Sequence, residues 1–209
     1  MLVFSSIVLA VASLFAALLP YRQPRSLTEQ SGVIASLLVL CCLFIFLSTV
    51  LPLSIGQTSD DNTLVLMLEN LHRYLALPLL TSVVLATSLD KHFKKGTWGR
   101  WSLVLLASFE LCRRAEIGDI YSLALTLISG SLITFSVIYC KRDVVSSNIT
   151  MKLAAIVCYL SALWLFSNDA LIATFENTLV SSISYNLTLA ASLVLICFIA
   201  GKRLTTVNK

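Results

Sequence analysis

The chain has 209 residues, of which 57% are hydrophobic and only 12% charged, with a mean hydropathy of +0.89. A soluble domain carries about 25% charge, so this one cannot cover a water-facing surface. That excludes soluble enzymes, nucleic-acid binders and disordered regulators, and it turns the net charge of +4 into a question of membrane orientation.

A membrane-spanning helix needs about 20 mostly apolar residues, and the chain divides into seven such runs. The first is residues 2–19, stopped by Pro20. It has no basic segment before it, and Arg22 and Arg25 follow it, so it reads as a retained helix with its N-terminus outside, not as a signal peptide. The second run is 33–53. A polar loop with Asp60 and Asp61 follows, and Asn62 and Thr63 are suited to cap the next helix.

The third run, 64–89, contains Glu69, Asn70, His72 and Arg73, with Pro78 expected to kink it. The loop after it is basic (Lys91, Lys94, Lys95, Arg100), and Trp98 and Trp101 suit an interfacial belt. The fourth helix is expected over 101–117, with Gly118 as its C-cap and Asp119 as the N-cap of the fifth, 120–140. The sixth is 151–166 and the seventh 183–200.

With the N-terminus outside, the inner side holds Arg22, Arg25, Lys91, Lys94, Lys95, Arg100, Lys141, Arg142, Lys152, Lys202, Arg203 and Lys209, that is, 12 of the 15 basic residues. The outer side collects Asp60, Asp61, Glu116, Asp119, Asp169 and Glu176. The positive-inside rule therefore predicts an all-α membrane protein, a seven-transmembrane-helix bundle with a cytoplasmic C-terminus. It forms one membrane domain, and the expected location is the bacterial inner (plasma) membrane. The sequons at Asn148 and Asn186 fall on the inner side and inside a helix, so they are not read as glycosylation sites.

Charge inside a bilayer costs about 2.5–3.5 kcal/mol per residue on insertion scales, so its presence there needs a reason. Glu69, His72 and Arg73 stand at i, i+3 and i+4, and Glu110, Arg113 and Arg114 repeat that spacing on the fourth helix. At 1.5 Å per residue, Glu69 lies about 8 Å below the outer end of its helix and Glu110 about 10 Å below its own. The two groups thus share an outer-leaflet layer. If the helices are neighbours, Glu69 pairs with Arg113 or Arg114, and Glu110 with Arg73.

Three readings of this layer are open. It is an ion-pair network fixing helix register. Alternatively, it is a water-accessible cavity in which His72 titrates near neutral pH. The third reading is contact with a partner helix. Snorkelling to the interface accounts for Arg113 and Arg114 but not for Arg73.

His92 lies in a basic loop, and two histidines at opposite ends of one helix do not make a metal site. The six cysteines show no zinc spacing and read as packing residues, and Tyr121, Tyr139, Tyr159 and Tyr185 as interfacial or core aromatics. No nucleophile signature is present, so an intramembrane lipid-modifying enzyme ranks last. Ahead of it stand small-solute or ion transport or ligand sensing through the charged layer, and then a non-catalytic structural or assembly subunit. The expected partners are the lipid bilayer and a membrane protein or second copy, with no nucleic acid and no cofactor.

Arg73-Tyr74 and Pro78-Leu79-Leu80 resemble the third-helix run of the microbial rhodopsins. Tyr159 and Trp164 resemble that family's sixth-helix aromatics, and Asn186 stands near its seventh-helix Asp. The Arg-to-Pro interval is four residues short, and Ala190 falls where the retinal lysine belongs. The resemblance therefore implies a retinal-free seven-helix scaffold.

Overall fold

A computed structural model describes residues 2–20, 29–55, 63–89, 91, 93–139, 149–171 and 178–206. Among them the chain is entirely helical, with seven helical rods and no strand. They are α1 (Leu2–Leu18), α2 (Glu29–Ile55), α3 (in three pieces), α4 (Lys95–Arg114), α5 (Gly118–Tyr139), α6 (Ile149–Leu171) and α7 (Thr178–Thr206). The pieces of α3 are an α-helical Thr63–Leu71, a π-helical turn His72–Ala76 and an α-helical Leu77–Ser88. Asn62 lies outside the described residues, as do Arg22, Arg25, Asp60, Asp61, His92, Lys141, Arg142, Asn148, Glu176 and Lys209.

The widened turn in α3 follows from Pro78. A proline ring collides with the carbonyl four residues back and has no N–H to offer it. In α3 that carbonyl belongs to Tyr74. The turn before the proline opens, so that the Leu77 N–H donates to the His72 carbonyl, five residues back. Such a turn takes one extra residue, which rotates the outer third of α3 by about 100° relative to a regular helix.

The rods close into a ring. α1 packs on α2 and α7, α7 on α6, α6 on α5, α5 on α3, and α3 on α2. α4 stands outside it, against the π turn of α3 and against α5. The α1–α7 contact carries a polar tie, the Asn186 amide donating to the Ser5 and Ser6 hydroxyls at 3.3 and 3.4 Å. On α5 the buried residues Ser122, Ser129 and Ser136 recur every seven positions, and the Ser88 hydroxyl donates to the Ser136 carbonyl at 2.9 Å. Small residues at this spacing let helix backbones approach closely. Gly130 does the same towards α6, since a Cβ there would meet Leu160 at 3.1 Å.

A hydrophobic core of residues such as Leu9, Ile34, Leu38, Leu80, Ile133 and Leu193 is accompanied by buried polar groups and by many large apolar side chains on the outside. Buried positions include Ser5, Ser13, His72, Thr81, Thr87, Ser122 and Ser192, while Phe4, Val11, Leu18, Leu103, Leu111, Ile120, Leu127, Ile138 and Val157 face outward. The interior hydroxyls are satisfied by carbonyls of their own helices, as in Ser13 to Ala10, Thr81 to Pro78 and Ser192 to Leu189, each at 2.8 Å. Cys41, Cys42 and Cys197 are buried, and the Cys42 and Cys197 sulfurs touch at 3.9 Å, in keeping with packing roles. Two helices hold stretches long and apolar enough to cross a membrane, Gly32–Leu53 and Ile183–Ala200. Shorter apolar stretches are Val3–Leu18, Ile120–Ser136 and Lys152–Leu163.

The fourth helix differs from expectation at both ends. It starts at Lys95, six residues before the expected start, because Gly96 and Gly99 are helical here and not loop residues. Trp98 turns inward against Phe93, while the Trp101 indole donates to Ser82 on α3 at 3.1 Å. At the other end Gly118 is not the C-cap. Glu116 takes the left-handed conformation, with φ 59°, and the Ile117 N–H closes back onto the Cys112 carbonyl at 3.1 Å. Asp119 is not the N-cap either, because the Tyr121 N–H already bonds the Ile117 carbonyl.

A left-handed conformation at a residue with a Cβ costs about 1–2 kcal/mol, and glycine relieves it. Glu116→Gly is therefore expected to raise the unfolding free energy by about 1 kcal/mol. Thermal unfolding in detergent checks this, and an unchanged or lowered midpoint contradicts it.

Candidate functional site

Two acidic–basic clusters and one buried imidazole occupy the upper part of α3 and the end of α4. The Arg73 guanidinium donates to Glu69 at 2.6 Å, one turn apart, with side chains 33% and 45% exposed. On α4, Glu110 accepts two bonds from Arg113, at 2.9 and 2.8 Å, and one from Arg114 at 2.8 Å. Those arginine side chains are 62% and 75% exposed. The pairs run within each helix, where the i, i+3 and i+4 spacing brings the partners together, in place of the expected cross-helix pairs.

α3 and α4 are nevertheless neighbours. The Tyr74 ring stacks on Phe109 with centroids 4.4 Å apart, and on Tyr121 of α5 at 6.0 Å. Tyr74 follows Arg73 and Phe109 precedes Glu110, so the stack brings the two helices together beside both clusters. An aromatic seam, not charge, joins the two helices there.

His72 departs from its charged neighbours. The π turn directs it into the ring, where it is 5% exposed. Its Nδ1 lies 3.1 Å from the Ser48 hydroxyl of α2, and its ring stands 6.5 Å from that of Tyr185 on α7. Tyr159 of α6 is fully buried, within electrostatic reach of Tyr185 and Cys41. His72 Nε2 and the Tyr159 hydroxyl are buried with no hydrogen-bond partner among the described residues. Trp98 Nε1, against Phe93, is in the same condition, and a buried polar atom without a partner costs about 1–3 kcal/mol.

Of the six residues singled out by sequence, the structure brings Glu69, His72 and Arg73 to one turn and then divides them. His72 points inward, and the ion pair lies at the half-exposed edge. Glu110, Arg113 and Arg114 sit on the outer side of α4, paired with one another. Sequence reasoning missed Ser48, Tyr159 and Tyr185. The one signal for Ser48 was Pro52, which has no N–H for the Ser48 carbonyl four residues back. No group of three metal-ligating residues gathers among the described residues.

Loss of the Ser48 hydroxyl strands the His72 Nδ1 in the interior. Ser48→Ala is expected to cost about 1–3 kcal/mol, with most of the loss absent when His72 is already Leu. A double-mutant cycle read by thermal unfolding measures that coupling, and additive losses contradict it. Glu110→Gln, at an exposed pair, is expected to leave the unfolding midpoint unchanged in the same assay.

No protein-family model matches the chain, and no curated protein or solved structure is detectably similar to it.

Proposed function

We propose that the chain is a seven-span integral membrane protein, N-terminus outside and C-terminus cytoplasmic, whose buried His72 layer serves the passage or sensing of a small solute. Its apolar outer faces suit lipid, and exposed apolar area of this extent is untenable in water. The concentration of Lys and Arg in alternate loops supports the orientation. α4, with 20 residues, is about 30 Å long, enough for the hydrocarbon core. The resemblance to the microbial rhodopsins enters as scaffold only, because Ala190 offers no amine for a Schiff base.

One observation carries the functional part, the buried imidazole of His72 with its second nitrogen unengaged beneath the half-exposed Glu69–Arg73 pair. Ionisable residues at such depth mark solute or ion pathways in membrane proteins. A second reading, an assembly subunit, is favoured by α4, which stands outside the ring and shows Leu103, Val104, Leu106 and Leu111 outward.

The ends of α4 test the topology. With Cys112 replaced by Ala, Glu116→Cys is expected to react with a membrane-impermeant maleimide in intact cells, and Thr97→Cys only after permeabilisation. Labelling of both from one side rejects the seven-span reading. The two functional readings separate with His72→Asn. Passage or sensing predicts normal expression and altered solute response, whereas assembly predicts lost co-purification of a partner with no such change.

A further inference from the structure

The corner where α3 ends and α4 begins gathers cations that no acid offsets. Residues 89–101 hold Lys91, Lys94, Lys95 and Arg100 against Asp90 alone. All four cations are exposed, and none meets an Asp or Glu among the described residues. The ion pairs lie at Glu69 and Glu110, at the other end of both helices. Lys91, Lys94 and Lys95 fall within five residues, so even a fully extended chain keeps them within about 14 Å. Arg100 stands about 8 Å further along α4. Backbone bonds fix the frame beneath them. The Lys91 N–H donates to the Ala86 carbonyl at 3.0 Å, closing α3, and the Thr97 N–H to the Lys94 carbonyl at 2.9 Å, opening α4.

Two further features separate this corner from a loop that only obeys the positive-inside rule. First, α4 starts uncapped. Lys94 makes no side-chain cap bond, the first turn holds no acid, and nothing lies within 4 Å of where a Cβ would stand on Gly96. The free N–H groups of that turn and the partial positive charge of the helix start add to the cations. Second, Phe93 and Trp101 remain 44% and 43% exposed beside the charges, and such rings settle at headgroup depth. Further along α4, Leu103, Val104 and Leu106 face outward and offer acyl chains a surface to follow. A free phosphate would use the cations but none of these side chains. Cations with no acid between them attract a phosphodiester and repel the ammonium group of a zwitterionic lipid.

We infer that the α3–α4 corner binds anionic phospholipid headgroups, held by Lys91, Lys94, Lys95 and Arg100 at the open start of α4, with the chains along the outer face of that helix. The inference rests on the proposed topology, which puts this corner on the cytoplasmic side, and adds a lipid class to it as partner.

The test uses the full chain with Trp164→Phe, which leaves Trp98 and Trp101, both at this corner, as reporters. It is placed in phosphatidylcholine nanodiscs with a small fraction of lipid brominated on its chains, which quenches tryptophan on contact. Brominated phosphatidylglycerol is expected to bind about fivefold tighter than brominated phosphatidylcholine, the effect of one cation at a membrane surface. Lys91→Gln, Lys94→Gln and Lys95→Gln together, all at exposed positions, are expected to remove the difference. Gly96→Asp, an acid that suits a helix start and leaves folding intact, is expected to reduce it. Equal quenching by the two lipids, or a preference that survives the triple change, overturns the inference. A preference abolished by inorganic phosphate at constant ionic strength overturns it as well, in favour of a free-phosphate site. Both nanodisc leaflets have one composition, so the result does not depend on topology. Labelling of Thr97→Cys in intact cells, with the lipid preference intact, rejects the orientation and leaves the surface standing. No preference, with Thr97→Cys labelled only after permeabilisation, rejects the surface and leaves the orientation.

Discussion

The missing N–H of Pro78 governs the part of the molecule that matters most. Because that residue cannot bond the Tyr74 carbonyl, the preceding turn widens, and residues 72–76 wind at five residues per hydrogen bond instead of four. The extra residue sets three directions at once. His72 enters the ring towards α2 and α7, Tyr74 turns to the α4 seam, and Glu69 with Arg73 remains at the half-exposed edge. His72 and Arg73, as consecutive residues, point about 100° apart, so one can enter the ring while the other stays at its edge. α2 carries Pro52 within an unbroken α-helix, four residues beyond Ser48, the residue that meets His72.

The remainder of the bundle packs around this turn with a mixed interior. Large aliphatic side chains lie both inside and outside, and hydroxyls and one imidazole join the interior. Small residues and interior hydrogen bonds add to the apolar packing at the helix contacts. The serine series of α5, the Asn186 tie between α1 and α7, and Ser88 on Ser136 are of this kind. Almost every one of these hydroxyls has a local carbonyl to bond. His72 Nε2, Trp98 Nε1 and the Tyr159 hydroxyl differ from them in this.

The charged helix ends behave differently. Glu110, Arg113 and Arg114 satisfy one another on an exposed face, which removes any need for them to reach α3. The contact between α3 and α4 falls to Tyr74, Phe109 and Tyr121, residues whose stacking depends on the rotation set by the π turn. Ordinary-looking aromatics thus hold the layer together, while the conspicuous charges mark its rim.

Seven helices were determined by the sequence alone, the first, third and fifth to within two residues, whereas the sixth ends five residues later and the seventh starts five earlier and ends six later than their apolar runs. Each depends on composition or on rise per residue, which are local and additive. The start of α4 escaped because Gly96 and Gly99 look like loop residues in isolation, and Glu116 in place of Gly118 at its end because the choice depends on how the chain turns into α5. Which way His72 faces, that Ser48 and Tyr185 are its company, and that Tyr159 lies near Tyr185, only the tertiary structure decided. Those residues come from four helices spread between positions 48 and 185, and no spacing in the chain encodes their meeting. A backbone defect at one proline, and the packing of the ring around it, brings them together.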